Sequence, residues 1–423
     1  MKLTHAVQRP RAGSAVLLAV TALLALATAG CETSPGPPVG PTFLVSSVVI
    51  SPVADTVSIG GTAQFSAAVY DTADMPTGTN PGWKSTNTAI FTVTSFGRVT
   101  GVGEGTALLI AQAGGQADTA SVTVLPGGGW FLQNSGTTAN LHGVFFVGAS
   151  GWAVGDGGTI VRTTNSGTTW TRGTVPTTFS LNGVWFTSPS EGWAVGVSGT
   201  VLRSTDGGVT WTRLTNVQQG EALTDVHFAT RDTGWVVGAA GLVLRTFDAG
   251  ASWQTFRLPT AAVLNSVSFY GTKDGWTVGN TGVIGGTHDR GLTWFIVQPA
   301  ITSQTLHAVS RPTLAAAFAV GAQGVAPRTV VTPDSVVWEV LNAGIGRQLE
   351  GGHYPTPTTG YAVGYDASLG GSVLRTDDAG LSWEAQVSNT SFRLDDVYFT
   401  SVTTGWAVGD AGTIIHTARG GRP

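Results

Sequence analysis

Cysteine is all but missing from this chain: Cys31 is the single one, so no intrachain disulfide can form. Charge is scarce as well. Only 11% of the residues are charged, and their formal balance is −4. A general nucleic-acid binder would be basic, so nucleic acid is disfavoured as a partner. Few windows show a helical period, which speaks against a helix bundle. What the chain has instead is 60 glycines, 14 tryptophans and many short β-branched runs between turn residues. That composition predicts an all-β protein with tight turns. A length of 423 residues suits two or three domains.

The first segment differs from the rest. Lys2, Arg9 and Arg11 precede the apolar run AVLLAVTALLALATA at 15–29, which is short for a membrane span and reads as a signal peptide. The following TAGC at 28–31 resembles a bacterial lipobox, with Thr28 where the pattern prefers leucine. The resemblance implies a signal peptide over 1–30, lipidation of Cys31 and membrane contact through that anchor alone. Residues 31–44, with ETSPGPPVGP at 32–41, read as a Pro/Gly tether. The expected localisation is the bacterial cell envelope.

Residues 45–126 read as a small two-sheet sandwich of alternating strands. The stretches VVISP (48–52), GGTAQFSA (60–67), GWKSTNTAIFTVTSFGRVTGVGEGTALLIA (82–111) and ASVTV (120–124) resemble the bacterial Ig-like domain of group 2. The resemblance implies a spacer or adhesion module, with Trp83 plugging the core between the sheets.

From Trp130 onward a unit of about 42 residues repeats. It opens with strands such as LHGVFF (141–146), LNGVWF (181–186) and LDDVYF (394–399); the copy near 349 lacks this opening. A G-W-A-V-G strand, a third strand such as GTVLRS, an aspartate turn and a strand headed by tryptophan follow. Four strands per unit make a β-propeller blade. The last unit stops before its tryptophan, whereas Trp130 has no unit before it. Giving WFLQ (130–133) to the last unit closes a ring of seven blades over 127–423. The expectation is therefore a seven-bladed β-propeller with an N-terminal Ig-like β-sandwich.

The turn recurs as TTNSGTTW (163–170), STDGGVTW (204–211), TFDAGASW (246–253), THDRGLTW (287–294) and TDDAGLSW (376–383), with a decayed TPDSVVW at 332–338. It resembles the Asp-box, or BNR repeat. Asp206, Asp248, Asp289 and Asp378 can accept backbone N–H bonds inside their own turns, and glycine supplies a backbone shape that other residues resist. A buried tryptophan between blades contributes about 4–6 kcal/mol as an upper estimate. A catalytic aspartate would not be needed five times, so the turns read as structural joints.

The combined pattern in GWAVGDGGTIVRTTNSGTTW (151–170) and GWAVGVSGTVLRSTDGGVTW (192–211) is similar to the photosystem II stability and assembly factor family. That resemblance implies a propeller that binds a protein partner without catalysis, and a cluster of arginines. The residues ahead of the turns are Arg162, Arg203, Arg245, Arg328 and Arg375, with Gly286 and His416 in the other two units. Five guanidiniums on one level would attract an acidic segment or a carboxylate terminus; stacking on the blade's own tryptophan is the alternative. The rival class is a sialidase-like or glucanase-like glycoside hydrolase. It needs acids set across a cleft, whereas Glu191, Asp232, Asp274, Asp366, Asp395, Asp396 and Asp410 are scattered in what read as loops. Adhesion to a glycan through exposed aromatics is a third reading. His142, His227, His307 and His353 show no metal-ligand spacing, and three of them fall in opening strands. Glycine-rich segments sit in strand turns, not before helices, so no phosphate loop is expected. Neither a metal nor a cofactor is expected.

Overall fold

The structure, a computed structural model, describes residues 44–422 apart from 126–128, 218–219, 333–334, 345 and 369. Cys31, the apolar leader and the tether up to residue 43 lie outside the described residues, as does Asp334 of the decayed turn. Val45–Pro423 forms one compact unit. No helix among the described residues is long and apolar enough to cross a membrane.

The N-terminal part of this unit carries three small sheets. Val45–Ser51 pairs with Ser66–Asp71. Ala54–Ser58, Gln116–Leu125, Gly105–Ala113 and Gly82–Ser85 form a four-stranded sheet, and Thr62–Gln64, Arg98–Gly101 and Phe91–Val93 a three-stranded one. Ala54–Ser58 runs parallel to Gln116–Leu125, and the other pairs are antiparallel. Alternation sends Leu109, Ala111, Val122 and Val124 inward, around Phe65 and Phe91, both fully buried. The expected plug, Trp83, is only half-buried. Its indole covers Gly97, where φ is +76° and a Cβ would lie 2.9 Å from the ring. Phe65 and Phe91 fill the centre instead, so the tryptophan seals an edge.

Residues from Phe131 onward form seven four-stranded antiparallel sheets among the described residues. The innermost strands are Leu141–Val147, Leu181–Phe186, Leu223–Phe228, Leu264–Tyr270, Leu306–Ser310, Gln348–His353 and Leu394–Phe399. Each touches the next, and the last touches the first, so the sheets close a cycle around a central channel. The seventh sheet is composite: Phe131–Gln133 pairs with Ile414–Thr417 as its outer strand. The copy near 349, expected to lack the opening pattern, does form an inner strand. Leu349 and Tyr354 take the places of the usual leucine and aromatic, which glycines at 351 and 352 conceal in the sequence.

Every inner strand has a bulge after its first leucine. The bulge sends positions one, four and six between sheets, while positions two, three and five line the channel. Leu181, Val184 and Phe186 of the second sheet accordingly pack against Trp152, Val154 and Ile160 of the first. The ring is held by a repeated joint of three aromatic groups. Trp152 stacks on Phe186 of the next sheet at 3.4 Å, and Trp211 stands edge-on to Phe186 at 5.7 Å. Trp193, Phe228 and Trp253 repeat the joint, as do Trp235, Phe269 and Trp294. At closure Phe399 stacks on Tyr361, and Trp130 supplies the edge-on ring.

Candidate functional site

The aspartate turns lie between the third and fourth strands and close on themselves. In the second sheet the Ser204 hydroxyl donates to Asp206 Oδ1 at 2.9 Å. The backbone N–H and hydroxyl of Thr210 donate to the same carboxylate, and Gly208 N–H donates to Ser204. Asp248, Asp289 and Asp378 sit in the same cages. Asn165 keeps most of these bonds, which explains why the turn tolerates an amide. Hydrogen bonds from Thr293 hold the Asp289 carboxyl at about 2. The turn also docks on the neighbouring sheet, because the Trp152 and Trp235 indoles donate to the carbonyls of Gly207 and Arg290. These carboxylates are committed to their own turns.

The arginines ahead of the turns do share one level. Arg162, Arg203, Arg245, Arg328 and Arg375 each pair across strands with the aromatic of the second strand: Trp152, Trp193, Trp235, Phe318 and Tyr361. They do not stand alike. Arg375 is 6% exposed and donates to the Tyr361 hydroxyl, the Gly420 carbonyl and Asp377. Arg328 bonds Glu339 and the Ala379 carbonyl. Arg245 donates twice to Gln254 and lies over Phe247. Arg203 lies over Trp193 at 5.6 Å and joins Glu191, which also takes Arg231. Arg162 is half-buried, with no side-chain partner among the described residues. Burial works to raise the Glu191 carboxyl, but the two guanidiniums prevail and hold it below the usual range.

The fourth sheet departs from this arrangement. Gly286 replaces the arginine, and the Phe295 ring takes the space a side chain there would need. Across the joint, Arg311 stands where other sheets place the stacked aromatic. Its guanidinium lies 5.8 Å from the Trp276 ring and donates to the Leu314 carbonyl, while Nε and Nη1 are buried without a partner.

The groups that sequence reading left apart meet in the central channel. Asp395 and Asp396, expected in a loop, belong to the innermost strand Leu394–Phe399, because the repeat frame gives them positions two and three. Asp225 holds position three of the third sheet and went unnoticed in the sequence; that frame was the signal that could have found it. Asp225 accepts bonds from Ser266 Oγ, Val267 N–H and Val226 N–H, and Asp396 accepts from Val144 N–H and Val397 N–H. Each carboxylate thereby ties its strand to the next sheet. Loss of hydration pushes Asp225 up to about 6 and Asp396 up to about 7, with the charge of Asp225 adding to the rise of Asp396.

The four inner-strand histidines divide between the two ends. At the position-two end His142 bridges Asp395 and Asp156 at 2.8 and 3.0 Å. The Asp395 bond does most to hold its imidazole above the ordinary value, against desolvation. His307 faces Glu350 at 3.2 Å. At the position-five end His227 and His353 are pushed down to about 3 and about 4 by burial, so both are neutral near pH 7. Among the described residues no group of three or more His, Cys, Asp or Glu side chains could hold a metal ion.

Comparisons with known proteins agree with this architecture. Residues 213–302 match the model of the family described as photosynthesis system II assembly factor YCF48. The chain is similar to a solved structure of YCF48 bound to D1 peptide, at 22% identity and a TM-score of 0.57, covering 70% of this chain and 96% of that one. YCF48 from Cyanidioschyzon merolae gives 20% and 0.56, with coverage of 68% and 98%. Virginiamycin B lyase from Staphylococcus aureus gives 13% and 0.57, with coverage of 68% and 99%. These likenesses establish an all-β propeller fold. No curated protein sequence matches the chain.

Proposed function

We propose that the chain is a non-catalytic binding protein of the bacterial cell envelope, whose seven-bladed propeller grips a polypeptide partner. In this reading Cys31 carries the lipid anchor, and the Ig-like sandwich is a spacer. The match of residues 213–302 to an assembly-factor family supports it most directly. The likeness to a propeller whose solved structure has a bound peptide adds to it.

The partner's contact lies on the side of the ring that bears the aspartate turns. Arg328 and Arg375 hold their own neighbours, so an acidic segment or carboxylate terminus would meet Arg162, Arg203 and Arg245. There a partner carboxylate competes with Glu191 and Gln254 for guanidinium donors. Glycan binding is the second reading, supported only by exposed aromatics such as Phe179 and Phe392.

Three measurements test the reading. Cross-linking the full chain in membranes should yield a defined polypeptide adduct that Arg203→Glu/Arg245→Glu diminishes. A glycan hydrolysed by the chain, with activity lost in Glu191→Gln, would replace the binding role with an enzymatic one. For the anchor, radiolabelled palmitate should enter the protein and fail to enter Cys31→Ser.

A further inference from the structure

The position-five side chains of the inner strands build one mouth of the channel. His227, Trp185, Phe145, Tyr398 and His353 form an arc of touching rings, with centroids 4.1–4.6 Å apart. Ser268 and Ser310 complete the circle. Position three lies two residues earlier on the same strand face. There the side chains are small, because the strands crowd together: at Gly351 a Cβ would stand 2.6 Å from the Asp396 backbone. Only Asp225 and Asp396 project carboxylates into this layer, one below His227 and one below Tyr398.

The cavity that joins the two layers holds about 210 Å³. Sites for drug-sized ligands run to about 300–1,000 Å³, so this one suits a single side chain. His227 lines it, is 7% exposed and has no hydrogen-bond partner among the described residues. A neutral imidazole in that place offers a nitrogen to an incoming N–H donor. Arg311 is the single cation of the lining among the described residues; its guanidinium faces the Trp276 ring and donates through Nη2 to the Leu314 carbonyl, while Nε and Nη1 stay buried and unpaired.

We propose that this cavity receives one organic cation, the ammonium or guanidinium of a basic side chain on the polypeptide that the ring grips. The inference rests on the polypeptide-binding reading and adds a second point of recognition to it. Aromatic faces at the mouth attract a cation as it sheds water. Beneath them, two carboxylates that repel each other gain from a positive charge placed between them. The backbone N–H bonds of Asp225 and Asp396 leave acceptor capacity on both carboxylates for that charge.

The test is calorimetric titration of the full chain with a blocked glycine pentapeptide carrying a central arginine, or its neutral isostere citrulline. The arginine peptide should bind at least about tenfold tighter. Asp225→Asn/Asp396→Asn should remove that preference. At pH 7 its binding should release protons, seen as a heat that changes with the buffer. Trp185→Leu leaves both carboxylate ties in place, so it serves should the double variant fail to fold; it should weaken the arginine peptide about 3- to 30-fold. Equal affinity for citrulline overturns the proposal, as does an arginine affinity unchanged in these variants. Ethylguanidinium bound in a carboxylate-dependent way, without the peptide, keeps the cation site and sinks the polypeptide reading. A cross-linked partner that holds equally to the double variant keeps that reading and sinks the cation site.

Discussion

Trp130 stands edge-on to Phe399, their ring centroids 5.7 Å apart and the planes at 86°. The two residues lie at opposite ends of the ring-forming chain, and their contact is the joint that shuts the ring. The indole of Trp130 also donates to Gln386 at 2.9 Å, and its carbonyl accepts from Asn389.

Truncating this joint should cost as much as truncating a core aromatic. Trp130→Ala is expected to lower stability by about 3–5 kcal/mol in urea denaturation. It should also expose the seventh sheet to limited proteolysis, because Phe131–Gln133 is a strand of three residues joined to the sheet along one edge. A loss below 1 kcal/mol would mean that the ring does not depend on this strand.

Asp289 is a fastener of its own turn. Asp289→Ala should lower stability by about 1–2 kcal/mol, the net worth of the bonds from Thr287 and Thr293, and leave partner cross-linking intact. Loss of the adduct in a folded variant, judged by circular dichroism, would make the turn part of the binding surface.

Asp225 and Asp396 should make the protein less stable as pH rises. Their folded values, about 6 and about 7, stand above the ordinary carboxylate value of 3.8. The protonated form is therefore favoured by folding. The stability tied to it is fully present below pH 4 and is lost as pH passes 6 and 7. Melting temperatures recorded from pH 5 to 8 should fall, and Asp225→Asn/Asp396→Asn should flatten that slope. A wild-type profile that rises over this window would contradict the burial argument.

Arg311 occupies an aromatic's place in the ring with two buried nitrogens unpaired. Arg311→Phe should rebuild the joint against Trp276 and Trp338 and raise stability by about 1–3 kcal/mol. Chemical denaturation checks this, and a destabilised variant would show that the guanidinium holds more than the Leu314 carbonyl.

The aspartate turns were legible because they are local. Each bonds within a handful of residues, so its chemistry is written in consecutive letters. The repeat length, the four strands and the placement of Trp130 followed from spacing alone, and spacing survives translation into three dimensions. The arginine row was legible as a level of the ring but not in its bonding. Glu191 meets both Arg203 and Arg231 across two sheets, and no local pattern announces such a meeting. Two glycines hide Tyr354, and the place of Trp83 at an edge is not legible because a sequence carries no depth.

By itself the sequence determined the all-β character, the period of the units and the self-contained turns, since those depend on neighbours along the chain. Only the tertiary structure decided which side chains share the channel. A bulge of one residue after each leading leucine turns positions three and five toward the axis. That turn brings Asp225 and Asp396, far apart in the chain, into one cavity beneath a collar of rings.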